Sequence, residues 1–354
     1  MVRLTRTQQQ QRTRAAVLAA ARAEFAQRGY GEARVDGIAE RAELTRGAVY
    51  SNFPSKRALY LAVLLDAVDG ATGPVAPGPP SGLAGAVGAF TRTWLDRLPL
   101  PGDTPAAGNL ALRSLTGVFD DEPGRAALAN LARLEAVLLG LALEACRPHR
   151  RRVRLAELVL TLLHGAGHLA ETAPGFGDPF DVVRAAEHLA GLDLADAWDP
   201  PHLPFVEPAR PVDEAWTPPA DLPDLCTGRP VGLGADGVVA VLGTGRLDAA
   251  EEAVRAARPD DAVTIAVQTG DPAELGRLVR LRIGDLAGCL CRVFGPDHPD
   301  ARPRLVLDEG GALAHALGVA ATDDTEAAVR IRAGRIVARA GGRGAGHAAA
   351  GARG

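Results

Sequence analysis

The sequence predicts a multidomain protein whose first part is all-α and whose last part is a mixed α/β fold. Apolar residues recur at helical spacing from residue 12 to residue 198, and no strand-like run interrupts them. After a stretch dense in proline, strand-like and helical patterns alternate up to residue 342. With 354 residues, of which 47% are hydrophobic, the chain is long enough for two or three packed domains.

Charge is distributed unevenly along the chain. The formal net charge is -4, yet residues 1–70 contain 11 Lys and Arg against 7 Asp and Glu. A basic start on an acidic remainder suits directed contact with DNA and argues against general polyanion binding. The four cysteines are scattered and form no C-x-x-C pair, which favours a reducing compartment. The sequence shows no signal peptide and no apolar run of spanning length, so we expect a cytoplasmic protein without a membrane partner.

Residues 35–56 carry the clearest functional pattern. Their apolar spacing predicts a packing helix, a tight turn at Glu43 and Leu44, and a second helix capped by Thr45. A small polar face on the second helix can enter a DNA major groove, because small residues allow the backbone to approach closely. The candidate DNA-contacting residues are Thr45, Arg46, Gly47, Tyr50, Ser51, Asn52 and Lys56.

The next helix begins with an unusual arrangement of charge. Ser55 can cap this helix, yet its first turn contains Lys56 and Arg57, at the end where the helix dipole disfavours cations. We interpret the position as a phosphate contact, because helix N-termini and basic side chains both hold phosphates. Lys56 is also the only lysine in the chain. The alternative is that one lysine persists by chance in an arginine-rich sequence.

Residues 12–66 resemble the DNA-binding domain of the tetracycline-repressor (TetR) family of bacterial transcriptional regulators. The matching segments are AAVLAAARAEFAQRGYGEARVDGIAERA and LTRGAVYSNFPSKRALYLAVL. The resemblance implies that the helix after Thr45 is the recognition helix, with Tyr50 and Lys56 on phosphates. Glu43 departs from the family pattern, which has glycine in the turn.

The same resemblance implies the organisation of the first 198 residues. A flexible basic arm, residues 1–11, would precede a helix-turn-helix domain at residues 12–70. Residues 80–198 would form a helical ligand-binding and dimerisation domain, whose last two long helices pack across a two-fold axis. The implied function is a bacterial repressor without enzymatic activity. Its implied partners are a double-stranded, pseudo-palindromic DNA operator, a second copy of the chain and a small-molecule effector.

The middle helices contain the candidates for an effector pocket. These are the largest side chains there, Phe90, Trp94, Arg113 and Phe119, for which ordinary core packing is the alternative. His164 and His168 lie one helical turn apart and suit a metal, but no third ligand stands at matching spacing. We favour a close helix crossing at residues 165–167 and expect no metal and no cofactor.

A proline-rich linker at residues 199–229 is predicted to separate the helical domain from an α/β domain at residues 230–342. Within the latter, residues 304–342 resemble thioredoxin-like and peroxiredoxin-like domains, in which a strand, a short helix and a final hairpin follow in that order. The hairpin turn is predicted at Ala333 and Gly334. Strand patterns stand at 238–242, 262–267 and 304–308, and helical patterns at 247–257, 272–291 and 312–319. The final residues, 343–354, are of low complexity and are predicted to be disordered.

The catalytic features of thioredoxin-like domains are missing. Their nucleophilic cysteine would follow the first strand, where this chain has residues 243–246, reading GTGR. Their cis-proline would precede the hairpin, where residues 322–324 read TDD. We therefore expect a degenerate thioredoxin-like module that serves in sensing, partner docking or stabilisation.

Two enzymatic or cofactor-binding alternatives remain for this domain. Cys289 and Cys291 form a C-x-C near the end of a helix and are candidates for thiol chemistry, although small buried residues are the simpler interpretation. The turn containing Gly243 and Gly245 follows a strand and precedes a helix, as in dinucleotide-binding sites. Asp248 weakens that match, because its carboxylate would compete with a pyrophosphate for the helix N-terminus.

Overall fold

The computed structural model describes residues 5–69, 80–99, 103–146, 150–220, 222–295 and 303–352. Its first part is helical, and its last part is a mixed α/β domain. The helices of the first part are α1 (Arg6–Glu32), α2 (Val35–Arg41), α3 (Arg46–Asn52), α4 (Lys56–Asp69), α5 (Gly82–Leu95), α6 (Pro105–Ala111), α7 (Glu122–Cys146), α8 (Val153–Thr172) and α9 (Pro179–Leu189). The apolar periodicity predicted helices in these regions, but α6 and α9 end earlier than the helical patterns at 106–119 and 179–197. We call α1–α4 the head and α5–α9 the body.

α1 begins earlier than the sequence predicted. The Thr5 hydroxyl accepts a hydrogen bond from the Gln8 amide, and the Gln8 side chain accepts one from the Thr5 amide. This capping box starts the helix at Arg6. The prediction of a flexible arm is therefore wrong for residues 6–11, and residues 1–4 lie outside the described part.

Two residues with positive φ shape the chain on either side of α2. Gly29 has a φ of 69° and bends α1 before its last residues. Glu43, in the turn between α2 and α3, has a φ of 55°. This conformation costs a residue with a Cβ about 1 kcal/mol, which explains why glycine suits the position.

The α/β domain is built on one six-stranded mixed sheet in the order β1-β8-β7-β4-β5-β6. Its strands are β1 (Arg210–Ala215), β4 (Gly237–Gly243), β5 (Ala262–Gln268), β6 (Arg304–Leu307), β7 (Glu326–Arg332) and β8 (Arg335–Gly341), while β2 (Leu222–Pro223) pairs separately with β3 (Pro230–Val231). Strands β4, β5 and β6 are parallel, and β7 and β8 are antiparallel to their neighbours. The β7–β8 hairpin turns at Ala333 and Gly334, both with positive φ, as predicted.

The helices of this domain cover both faces of the sheet. They are α10 (Ala250–Ala256), α11 (Arg277–Phe294), α12 (Ala312–Ala316) and α13 (Ala345–Gly351). Every residue of β4 is buried, which explains why this strand is a continuous apolar run without alternation. The prediction of a mixed α/β domain is confirmed, and its thioredoxin-like identity stays a prediction.

Two segments that the sequence assigned outside the α/β domain belong to it. Residues 199–229, predicted as a linker, supply β1, which pairs antiparallel with β8 at the edge of the sheet. The predicted disordered tail supplies α13, whose Ala345, Ala349 and Ala350 are buried against α10 and the sheet. Alanine and glycine give no apolar periodicity, and only the neighbouring sheet makes this helix a buried one.

The α/β domain packs directly onto the helical part. α11 lies along α4 and also contacts α5 and α7, so that buried residues of both parts form one continuous core. Arginine–carboxylate pairs reinforce this interface: Arg57–Glu274, Arg97–Asp285, Arg113–Asp285, Arg151–Glu251, Arg255–Glu144 and Arg282–Glu135. The described residues therefore form a packed unit in which the modules predicted from the sequence share a core.

α7 is the one helix in the described ranges that is long and apolar enough to cross a membrane. About two thirds of its apolar window, 67%, is buried by the surrounding protein. Leu131, Leu134 and Leu139 on this helix are fully buried. α7 is therefore a core helix, and its hydrophobicity is explained by packing.

Candidate functional site

α3 presents a small polar face to solvent, and α2 supports it from behind. Val49 of α3 is buried together with Ile38 and Ala39 of α2. The Thr45 hydroxyl accepts a hydrogen bond from the Ala48 amide at 3.2 Å, so the predicted cap is present. The exposed residues of this face are Thr45, Arg46, Gly47, Tyr50 and Ser51.

Arg46 is held over this face by weak contacts. Its Nη1 lies 3.4 Å from both carboxylate oxygens of Asp36, and its guanidinium carbon lies 5.5 Å from the centre of the Tyr50 ring. Tyr50 and Asp36 both raise the pKa of Arg46, which keeps the side chain charged. Ion pairs exposed to water contribute little, so Arg46 can exchange Asp36 for a base edge or a phosphate.

Asn52 is less available than the other candidates. It is half-buried, and its Nδ2 donates to the Ala48 carbonyl at 2.9 Å. The structure therefore places its amide in the last turn of α3, partly withdrawn from the exposed face.

Lys56 lies at the start of α4 against the last residues of α1. Its Nζ donates to the Gly31 carbonyl at 3.0 Å and lies 4.7 Å from the centre of the Tyr30 ring. Burial lowers the pKa of Lys56. An ammonium group has three donors, so this contact leaves donors for a phosphate, and the phosphate contact stays a prediction.

Arg57 is compensated inside the protein. It forms ion pairs with Asp121 and with Glu274, which precedes α11 in the α/β domain. Glu274 also accepts a hydrogen bond from Ser55, whose hydroxyl caps α4 by accepting from the Ala58 amide at 2.9 Å. The interpretation of this charge as a phosphate contact is therefore wrong for Arg57, because protein carboxylates balance it.

A cavity of about 440 Å³ lies between α5, α7, α8 and α11. Trp94 and Arg113, two of the predicted pocket residues, line it. Phe90 and Phe119 do not, since they are buried in the core at 0% and 3% exposure. The cavity also contains His164 and His168, which the sequence indicated only as metal candidates. Its other polar residues are not indicated by the sequence: Arg97, Ser114, Thr116, Glu171, Arg282 and Asp285. One feature of the sequence could have indicated the cavity. Arg282 and Asp285 are two charged residues one turn apart on a face of α11 that is otherwise apolar.

His164 is held by the cavity wall. Arg282 donates to its Nε2 at 3.1 Å, and the Trp94 ring lies edge-on with the ring centres 6.1 Å apart. Burial among the helices, followed by the charge of Arg282, lowers the pKa of His164. In the described ranges no group of three potential metal ligands occurs. A Cβ on Gly167 would lie 3.0 Å from Trp94, so this glycine permits the close crossing of α5 and α8, whereas Gly165 faces open space.

The turn after β4 is filled by the loop that precedes β7. The Gly245 amide donates to the Asp323 carbonyl at 2.8 Å, and the Thr244 hydroxyl donates to the Asp323 carboxylate at 2.7 Å. A Cβ on Gly243 would lie 2.2 Å from the Asp323 carbonyl oxygen. The glycines that suggested a dinucleotide site thus accommodate protein backbone. Residues 243–246 and 322–324, which stand where thioredoxin-like domains have their nucleophilic cysteine and their cis-proline, are therefore in contact.

Cys289, the buried cysteine of the C-x-C pair, lacks the properties of a nucleophile. Cys289 is 1% exposed, and burial raises the pKa of its thiol. Arg97 donates to its sulfur at 3.3 Å, which only partly opposes this effect. Reactive cysteines need an accessible site with a lowered thiol pKa, so the geometry favours a structural role for Cys289.

The exposed polar face of α3, supported by α2 across a tight turn, defines a helix-turn-helix DNA-binding protein. Residues 17–63, which span most of α1 to α4, match the family of bacterial regulatory proteins, tetR family. The match covers the helix-turn-helix region in the N-terminal part of the chain, and it is to the DNA-binding region of TetR-family transcriptional regulators. A mixed α/β sheet follows the helical part.

Solved structures similar to the chain match about half of it. A TetR transcriptional regulator from Rhodococcus sp. RHA1 is 18% identical, covers 54% of this chain and 99% of its own, and has a TM-score of 0.32. A second transcriptional regulator from the same organism is 21% identical, with 50% and 94% coverage and a TM-score of 0.38. The fatty acid degradation regulator FadR from Bacillus halodurans is 16% identical, with 51% and 99% coverage and a TM-score of 0.27. At these values the similarities carry no information on ligand or partner. Comparison with curated proteins finds no match.

Proposed function

We propose that the protein is a ligand-released repressor that binds a pseudo-palindromic operator as a homodimer in the bacterial cytoplasm. The observation that carries this proposal is the exposed face of α3, on which Arg46 is the one basic residue. Arg46 and Thr45 would read base edges or phosphates in the major groove, while Tyr50 and Lys56 would hold the backbone. Genome-wide mapping of bound DNA in the native host tests the proposal, because a regulator of this kind gives discrete sites that share a palindromic sequence.

Substitutions in the head test the assigned roles on an operator found in this way. Lys56→Ala should weaken binding about equally on all sequences and reduce the salt slope by about 1. Arg46→Ala should instead change the sequence preference. Arg92→Ala is a matched control, because Arg92 is an exposed arginine on α5 with a surface partner, Glu187. An unchanged salt slope for Lys56→Ala would contradict the phosphate contact.

The exposed side of α8 and α9 supports the homodimer. Apolar side chains are exposed along and beyond α8: Leu158, Leu169, Phe176 and Phe180, the last two at 70% and 77% exposure. Leu158 and Leu169 lie about three helical turns apart on one face of α8. Exposed apolar patches mark interaction surfaces, and a second copy would bury this face across a two-fold axis. Leu158→Arg should shift the protein towards monomer in light scattering, and an unchanged mass would contradict this interface.

The cavity supports release by a small molecule. The segment at residues 113–116 lines it, and Tyr60 of α4 donates to the Ser114 carbonyl at 2.9 Å. Tyr60 is buried, so a shift of this segment on ligand binding would be transmitted to α4 and from there to α3. The ligand would favour one of two separations of the heads in the dimer, which is a population shift.

We infer that the α/β domain is a degenerate thioredoxin-like module with a sensing, docking or stabilising role. The order of β6, α12 and the β7–β8 hairpin supports the resemblance, and the contacts of α11 with head and body support a part in regulation. The competing function is thiol chemistry at Cys289 and Cys291. Peroxide and disulfide reduction should be absent from the wild type and from the double serine variant alike. A turnover that the serine variant loses would establish the bifunctional alternative.

A further inference from the structure

The cavity is a composite of two regions of the fold. α5, α7 and α8 of the body form part of its wall, and α11 of the α/β domain contributes Leu281, Arg282 and Asp285. Its volume of about 440 Å³ is that of a small-molecule site. The α/β domain therefore supplies chemical groups to this site.

Positive charge is incompletely compensated at one side of the cavity. Arg97 and Arg113 share the single carboxylate of Asp285, one on each oxygen. The Nε of Arg113 is buried and has no hydrogen-bond partner among the described residues. Burial lowers the pKa of Arg113, as expected for a cation with too little negative charge nearby. Arg113 also has a φ of 56°, a backbone conformation that is strained for a residue with a Cβ. Backbone strain of this kind is often retained at functional sites.

The other charged groups of the cavity have partners. Arg282 donates two hydrogen bonds to Glu135. Glu171 accepts a hydrogen bond from the Thr116 hydroxyl at 3.1 Å. The adjacent walls are aliphatic and include Leu112, Leu115, Leu128 and Leu281. What this side of the cavity lacks is a second carboxylate for Arg97 and Arg113, beside an apolar space.

We propose that the cavity binds a small organic anion with an aliphatic body. Its anionic group accepts hydrogen bonds from Arg113 and Arg97, and its body lies against the leucines. The anion supplies the second negative charge that two guanidinium groups require, and hydrogen bonds between ionised groups are about twice as strong as neutral ones. The inference rests on the proposed function only in identifying this ligand as the effector.

Three eight-carbon probes that differ in their head group test the class of ligand. Octanoate, 1-octanol and octylammonium are titrated into the full chain by calorimetry, without DNA. Octanoate should bind at least about tenfold more tightly than 1-octanol, the effect of a charge-assisted contact. Equal affinities, preference for octylammonium or absence of octanoate binding would each overturn the proposal.

Variants locate the binding and control for folding. Arg113→Gln should weaken octanoate binding by about tenfold or more, while its affinity for 1-octanol stays within about threefold, which shows that the cavity is intact. Arg255→Gln is the matched control, because Arg255 also pairs with a carboxylate across the same interface but lies outside the cavity. An equal loss in both variants would contradict the assigned anchor.

The calorimetry and the DNA experiments fail independently. If octanoate binds through Arg113 but no operator exists, the anion site stands and the repressor function does not. If the protein binds an operator but octanoate shows no preference over 1-octanol, the repressor function stands and the anion site does not.

Discussion

The contact of Glu274 with the start of α4 gives a quantitative prediction. Glu274 is 12% exposed and accepts hydrogen bonds from the Ser55 hydroxyl and from Arg57. Ser55 in turn caps α4 through the Ala58 amide. Glu274→Gln keeps the shape of the side chain and removes its charge, so it weakens both contacts without creating a cavity.

The size of the effect follows from the partners that remain. A hydrogen bond to a charged group contributes about 1.5–3 kcal/mol, and a neutral one about 0.5–1.5 kcal/mol. The two ranges differ by about 1–1.5 kcal/mol for one contact. Because Arg57 keeps its ion pair with Asp121, we count only the weakened contact with Ser55 and use about 1.4 kcal/mol. That value corresponds to about a tenfold change in the opening equilibrium of the first turn of α4.

Amide hydrogen exchange measures this opening directly. The amides of Ala58 and Leu59, which bond to the Ser55 side chain and carbonyl, should exchange about ten times faster in Glu274→Gln. Glu309→Gln is the control, since Glu309 is 45% exposed and pairs with Arg280 of α11 at the surface. Wild-type exchange rates at Ala58 and Leu59, or an equal rise throughout the chain, would contradict the assigned contact.

Two further predictions concern the turn of the head and the cavity. Glu43→Gly should raise the free energy of unfolding of the head by about 0.5–1 kcal/mol in urea, because glycine adopts positive φ without a penalty. Glu40→Gly, inside α2, is the control and should lower the free energy of unfolding by about as much. A lower free energy of unfolding in both variants would contradict the assigned strain. His164→Gln should change the pH dependence of stability. Burial and Arg282 lower the pKa of His164 in the folded protein. The neutral side chain therefore contributes stability above the unfolded pKa of about 6.5, and this contribution is lost as the pH falls through the pKa of the folded state. The variant should therefore lose less stability than the wild type between pH 7 and pH 5, and parallel curves would contradict the shift.

The sequence by itself determined the elements whose signals are local. Helices α2 to α9 follow from apolar spacing and caps such as Thr45, and the hairpin turn follows from Ala333 and Gly334. The exposed face of α3 was also predictable, because burying Val49 on a short helix turns Arg46 and Tyr50 outwards. Glu43 stands out in the sequence as the turn residue that departs from the family pattern, and its φ is positive.

The tertiary structure decided everything that depends on residues far apart in the chain. β1 and α13 are short or alanine-rich and become elements of the domain only because β8 and α10 provide a surface for them. The two partners of Arg57, Asp121 and Glu274, are distant in the chain, and Glu274 is more than 200 residues away. The charge of Arg57 therefore suggested a DNA contact in the sequence, whereas the fold balances it with these carboxylates. In the same way, the sequence suggests Arg113 as a pocket residue by its size alone. The fold brings Asp285 of α11 to both Arg97 and Arg113, and this arrangement is the basis for the proposed anion site. Local periodicity records which face of an element is apolar, whereas the identity of the neighbour on that face is a property of the folded chain.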